Sequence, residues 1–392
     1  MVLEPTGERI EDNDPRHRMA RMVKLLMKVG PDIDLISRMT GTYKETLRYW
    51  YKEKIIGAGM VVQAVPNEAA LGLKRIAVKA RVPDLFLPHI QPMFWAMNDL
   101  SYATAFELAI PDDYYVLHAT VPAEFTEAYR LFIRRLTEMG IFESADLYEF
   151  DWFRRTPMRA DYYDFTERRW DYNWQDAVPI EQDEMRPVSS ERARLDMIDL
   201  LMLKEMQLDA NRSLKEVNAA ISTKHRLEVN YKTLAWHYQN HITKPALING
   251  YSVRWPGTKY NQEADRAEHR QHTYIVVNLA VRGVTPNETL ELTGKMHQTP
   301  FLWSEMAGRD YLAQFAFPIE NVMEALEYLR EVAHPFGQRA SHYIVDQKNS
   351  VQFVLPYNLW SDADRSWTFD RDSILARFDN LVVKIKSGAG TV

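Results

Sequence analysis

KETLRYWYKEKI, residues 44–55, returns as YKTLAWHYQNHI, residues 231–242. Leu47, Tyr51 and Ile55 become Leu234, Tyr238 and Ile242, each 187 positions later, and both triplets step by four as one buried helical stripe does. Working outward, VLHATVP at 116–122 matches LAQFAFP at 312–318, an offset of 196. Each closing proline opens an amphipathic helix, with Phe125, Ala128, Leu131 and Phe132 in the first and Val322, Ala325, Leu326 and Leu329 in the second. Proline in a first helical turn gives up no hydrogen bond, so its placement is physically sensible. Further on, Tyr163, Phe165, Arg169 and Trp170 are loosely echoed by Tyr357, Trp360, Arg365 and Trp367. Three matches in one order indicate a duplicated chain.

The 392 residues therefore divide into two copies of a two-module unit rather than an unspecified set of domains. Hydrophobic residues make up 46% of the chain, enough for ordinary globular cores. The absence of cysteine excludes disulfides, thiolate nucleophiles and Cys-ligated metals, and fits a reducing compartment. No apolar run reaches membrane-spanning length and the N-terminus has no apolar signal region, so a cytoplasmic protein with no membrane partner is expected.

The first module of copy one reads as helices at 16–29, 32–39 and 43–54, with Thr40-Gly41-Thr42 as the turn and a β-wing over 55–65. Copy two repeats it with helices at 197–206, 213–221 and 231–241 and a longer turn at 222–230. The second module reads as strand, helix, two strands, helix, strand, with strands at 75–82, 102–108, 114–121 and 145–150, and then at 273–281, 302–306, 311–317 and 341–346. That order predicts a ferredoxin-like βαββαβ sandwich, whose helix-free face calls for a second sheet. The expected fold class is α+β, two tandem copies of a winged helix-turn-helix followed by a ferredoxin-like unit. The expected divisions are 16–72, 73–155, an aromatic and acidic arm and linker at 156–190, then 191–256, 257–350 and a C-terminal arm at 351–392. Acids outnumber bases about two to one over 143–186, which favours packing over base stacking for the arm's aromatics.

RMTGTYKETLRYWYKEKIIGAG at 38–59, followed by PNEAALGLKRIAVKARV at 66–82, resembles the helix-turn-helix, wing and first strand of Lrp/AsnC (feast/famine) transcription regulators. Gly308-Arg309-Asp310-Tyr311-Leu312 resembles that family's turn into its third strand, with Asp113-Tyr114-Tyr115 a fainter version. The resemblance implies two fused protomers with paired sheets, assembly into a homo-oligomer, and a small-molecule effector bound between the sheets. Duplication, the aromatic extensions and an insertion at 257–272 depart from the family pattern.

Residues 16–54 carry ten bases and four acids in a chain of net charge −6. With Leu47, Tyr51 and Ile55 inward, Lys44, Arg48 and Lys52 form a second row facing out, suited to a DNA major groove. Thr42 and Tyr43 at the helix start could position phosphate, and Arg48 could contact guanine. In copy two that row becomes Tyr231, Ala235 and Gln239, leaving Lys232, Trp236 and Asn240 as the candidate contacts. The expected function is thus a sequence-specific regulator with double-stranded DNA as its partner, no cofactor and no metal. Glu268, His269 and His272 have ligand-like spacing but no fourth partner nearby. No nucleophile elbow, phosphate loop or dinucleotide fingerprint occurs, so the chain is expected not to be an enzyme.

Two alternatives stay open. One is a non-catalytic assembly or small-molecule-sensing protein. The other follows from the likeness of siroheme decarboxylases to Lrp/AsnC regulators. It would need a tetrapyrrole pocket with His and Arg, for which His118, His334 and His342 are the candidates.

Overall fold

The computed structural model describes residues 15–156, 158–174, 178, 191–255 and 274–387. Helix α1 (Pro15–Val29) buries Met22, Val23 and Leu26, and α2 (Ile33–Thr40) follows, its first turn capped by Asp32. Gly41 ends α2 with φ at 66°, and its N–H reaches the Ser37 carbonyl at 2.8 Å, a left-handed C-cap that Gly adopts without steric cost. Helix α3 (Lys44–Tyr49) continues as a π-turn over Trp50–Ile56, so Leu47 and Ile55 both reach the core.

The wing expected after α3 is corrected. A single strand, β1 (Val61–Pro66), leaves the module and pairs antiparallel with β8 (Ile248–Arg254) of the second copy, Val62 opposite Val253. The alternation over 55–65 specified a strand, but its partner lies almost 190 residues away.

The first copy then runs through β2 (Leu73–Arg81), α4 (Ile90–Ser101), β3 (Ala103–Ile110), β4 (Tyr114–Pro122), α5 (Thr126–Glu138) and β5 (Ser144–Arg155). The second has α6 (Met197–Leu208), α7 (Leu214–His225) and α8 (Tyr231–His237), the last extended by a π-turn over Tyr238–Thr243. Because α7 runs to His225, the turn expected at 222–230 shortens to its last five residues. After β8 come β9 (Tyr274–Val281), α9 (Pro286–Met296), β10 (Leu302–Gly308), β11 (Tyr311–Pro318), α10 (Val322–Ala333) and β12 (Ala340–Gln352). Glu268, His269 and His272 lie outside the described residues.

Among the described residues, eight strands close into a barrel ordered β10-β11-β9-β12-β3-β4-β2-β5. Each copy contributes four adjacent strands, and the copies join where their edges meet, β3 to β12 and β5 to β10. Closure removes the exposed edges that two separate sheets would present. Each copy's Pro-led helix packs outside the barrel, while the inner faces meet around buried residues including Ala77, Val116, Val276 and Tyr343.

The arms cross over. In β6 (Tyr163–Asp164) and β7 (Arg169–Trp170), Tyr163 pairs with Trp170; in β13 (Trp360–Ser361) and β14 (Ser366–Trp367), Trp360 pairs with Trp367. Arg168 and Arg365 take positive φ at matching turns, 55° and 49°. The first arm docks on the second copy, Trp170 donating its indole N–H to Tyr274 Oη at 2.7 Å. The second docks on the first, Trp367 donating to the Leu71 carbonyl at 2.9 Å. Tyr163, Trp170, Trp360 and Trp367 are buried, and Tyr162, Phe165, Tyr172 and Trp174 pack partly buried beside the first pair. The C-terminal region ends in α11 (Arg371–Lys386), which lies on α5 and was not anticipated. No described helix is long and apolar enough to cross a membrane.

Candidate active site

One end of the barrel holds a cavity of about 170 Å³, roofed by the β1–β8 ribbon and the end of α6. Its charged lining comprises Arg75, Arg155, Arg254 and His118 against Glu68 and Glu107, so positive charge predominates.

Strand β4 is buried throughout, and its single ionisable residue besides the terminal tyrosines is His118. His118 pairs with Ala105 on β3, which places Glu107, two residues along the same face, diagonally beside it. His118 Nε2 sits 3.2 Å from Glu107 Oε2, and their side chains are only 6% and 5% exposed. Nε2 makes no hydrogen bond of acceptable angle, so a buried donor or acceptor remains available at the cavity.

The carboxylate is held more fully. Gln314 Nε2 on β11 donates to Glu107 Oε1 at 2.8 Å, and Asn278 Nδ2 on β9 donates to Oε2 at 2.6 Å. Asn278 also donates to the buried Tyr343 hydroxyl at 2.8 Å. Burial pushes the Glu107 pKa up, but the neighbouring His118 and the hydrogen bonds from Gln314 and Asn278 outweigh it and leave the carboxyl below its ordinary value. The two copies together build this site, since Glu107 and His118 come from the first and Gln314 and Asn278 from the second.

Two aromatic rings order the arginines. The Arg75 guanidinium stacks 3.6 Å above Phe153 and grips Glu68 through two nitrogens, with Nε 2.8 Å from Oε2. Arg155 lies 4.9 Å from the Trp303 ring. Arg254 is buried at the end of β8. The fork of Arg75 is thus taken by Glu68, whereas Arg155 and Arg254 bring their positive charge to the cavity lining.

A second buried carboxylate, on β10, faces away from the cavity; the register counterpart of Glu107 there is Met306, since Glu107 pairs with Val116 and Met306 with Leu312, 196 positions further on. Glu305 lies 198 positions after Glu107 and is fully buried, with His297 Nε2 at 2.8 Å, Arg154 Nη2 at 2.6 Å and Tyr311 Oη at 2.9 Å. It lies outside the cavity lining and serves the core.

Of the three histidines singled out from sequence, His118 lines the cavity, whereas His334 and His342 are exposed on the barrel's outside. Arg75, Arg155, Arg254, Glu107 and Gln314 were not singled out. The available signal was an ionisable residue inside an otherwise apolar strand, as in ATAFELAI and VLHATVP.

The expected DNA contacts lie on the two third helices, away from the cavity. Tyr43, Arg48 and Lys52 are exposed, while Thr42 is half-buried. Lys44 is bound by Asp34, and Arg48 Nη1 lies 2.8 Å from Glu45 Oε1. In the second copy Lys232 and Trp236 are exposed, and Asn240 bonds to the Trp236 carbonyl and to Lys244.

No protein-family model and no curated protein sequence matches the chain. Among solved structures it is similar to the siroheme decarboxylase NirDL, at 10% identity over 94% of this chain and 99% of that one, with a TM-score of 0.49. NirDL in complex with an iron-uroporphyrin III analogue gives 10% identity, 95% and 100% coverage and a TM-score of 0.48. An anthrone oxidase-like protein gives 8% identity, 72% and 93% coverage and 0.33. The expectation that the chain is not an enzyme is corrected: it rested on the absence of familiar motifs, and the barrel supplies a buried carboxylate–imidazole pair at an arginine-lined cavity.

Proposed function

We propose that this protein is an enzyme that binds a carboxylate-bearing substrate in the barrel cavity and delivers a proton from His118 during decarboxylation, the reaction class of the siroheme decarboxylases. The carrying observation is the buried His118 Nε2, 3.2 Å from Glu107 and without a hydrogen bond, in a cavity that also holds Arg75, Arg155 and Arg254. Arg155 and Arg254 hold substrate carboxylates, while Arg75 stays paired with Glu68. When a carbon–carboxylate bond breaks, carbon dioxide leaves, the electron pair stays on carbon, and the imidazolium supplies the proton that completes the C–H bond. Glu107, 3.2 Å from Nε2, orients the imidazole before that transfer. The cavity of about 170 Å³ accommodates a carboxylate-bearing edge of a substrate.

Each half is read as a helix-turn-helix module followed by a ferredoxin-like unit, with boundaries at 16–72, 73–155, 191–256 and 257–350. In this reading the chain is two fused protomers, and the crossed arms and paired edges are the features that support it. A second reading, DNA contact, draws on the exposed face carrying Tyr43, Arg48 and Lys52.

The test is titration with siroheme or iron-uroporphyrin and, in parallel, with small dicarboxylates, followed by optical absorption and by mass analysis for lost carbon dioxide. Saturable binding and carbon dioxide release that both depend on the cavity residues are expected. Neither ligand class binding, or binding without any decarboxylation, would overturn the proposal.

A further inference from the structure

Four side chains in the second helix-turn-helix module converge where the start of α6 meets the end of α8. Asp199 is fully buried, and each carboxylate oxygen meets one imidazole: His237 Nδ1 lies 2.9 Å from Oδ1, and His241 Nδ1 lies 3.0 Å from Oδ2. Asp196 Oδ2 is 3.6 Å from the same His237 nitrogen. One donor atom from each of the four residues lies within 4.8 Å of every other. The Asp196 Oδ1 atom separately accepts the Asp199 backbone N–H at 3.1 Å, so one oxygen caps α6 while the other faces the imidazoles.

We propose that Asp196, Asp199, His237 and His241 form a binding site for a divalent transition-metal ion of the zinc class. Zinc takes imidazole nitrogen and carboxylate oxygen at about 2.0–2.2 Å in a tetrahedron, which sets neighbouring donors roughly 3.3 Å apart. The three Asp–His separations, 2.9, 3.0 and 3.6 Å, bracket that spacing. Two acids and two imidazoles supply the mixed nitrogen and oxygen set that favours such ions over calcium or magnesium.

Three further observations fit. The two imidazole rings lie 4.7 Å apart at centroid, close enough for one ion to reach a nitrogen of each. His237 and His241 straddle the junction between α8 and its π-turn, a helix irregularity often found at functional positions. The site is also specific to one copy: the 187-residue offset that aligns the third helices puts Trp50 and Lys54 at the histidine positions, so the repeated core does not require the cluster. Trp236 packs its ring 4.7 Å from His241 and covers the outer side.

The experiment uses full-length protein stripped with chelator and dialysed, then titrated with Zn²⁺ by calorimetry and with Co²⁺ by visible absorption. One equivalent per chain, a tetrahedral Co²⁺ band and quenching of Trp236 fluorescence, identified with Trp236→Phe, are expected. His241 is half-buried, so His241→Ala should fold, and the affinity of that variant and of Asp196→Asn should fall by about tenfold or more. Circular dichroism of both variants verifies folding. If the wild type takes up no stoichiometric metal, or if both folded variants bind it as the wild type does, the assignment is wrong. Ligand binding at the barrel cavity is read separately, so failure here leaves that reading intact.

Discussion

Glu107 and His118 face one another diagonally across β3 and β4, with Oε2 and Nε2 3.2 Å apart and both side chains almost fully buried. This relationship couples the barrel's stability to its chemistry, because the carboxylate is anchored from the second copy while the imidazole faces the cavity from the first.

Truncating the carboxylate should be costly for the fold. Glu107→Ala leaves His118, Gln314 and Asn278 without their shared acceptor, and breaking a buried ion pair from one side costs about 3–5 kcal/mol. Urea unfolding near neutral pH measures this, and a loss below about 1 kcal/mol would contradict the described network.

The same carboxylate sets a pH dependence. Its folded pKa lies below the ordinary value of 4.5, so the unfolded chain binds its proton more readily. The stability it contributes is fully present above the unfolded value and is lost as pH falls through the folded one. Glu107→Gln should therefore flatten the acid limb of the stability profile relative to the wild type. Urea midpoints collected from neutral pH down into the acid range would reveal an unchanged limb if the pairing is not formed.

His118→Ala should reduce turnover by about 10²–10⁴-fold while leaving substrate affinity within a few-fold, as expected for loss of a proton donor. Arg155→Ala should instead act mainly on affinity, since its predicted role is to hold a substrate carboxylate. Separate determination of kcat and KM distinguishes the two, and an equal effect on both parameters in both variants would argue against these roles.

Replacing Lys44, Arg48 and Lys52 together by alanine should leave binding at the cavity unchanged. Duplex binding across a salt series tests the second reading directly: if the row contacts phosphates, affinity and salt slope both fall in the triple variant. Equal curves would remove that helix from any DNA interface.

Trp170→Phe and Trp367→Phe each delete one buried indole donor from equivalent arms. Each leaves a partner oxygen, Tyr274 Oη or the Leu71 carbonyl, without that bond, at a cost of about 1–3 kcal/mol. Thermal unfolding should show similar shifts for both; a shift in only one would mean the arms are not equivalent fasteners.

By itself the sequence determined the features that depend on neighbours along the chain. The doubled Leu-Tyr-Ile stripe, the proline-led helices and the alternating strands are local periodicities, and they located most elements within a few residues. It also carried a trace of the site, since an ionisable residue in VLHATVP stands out against its apolar neighbours. The β1–β8 pairing, the two edge contacts that close the barrel and the crossing of the arms were decided only in three dimensions. Strand periodicity specifies which face is buried, but an edge's hydrogen-bonding groups accept any compatible partner, and the choice rests on contacts between residues far apart in sequence. The cavity follows from that choice. Arg75, Glu107, His118, Arg155, Arg254 and Gln314 come from six different strands, and no spacing within any one of them records that they meet.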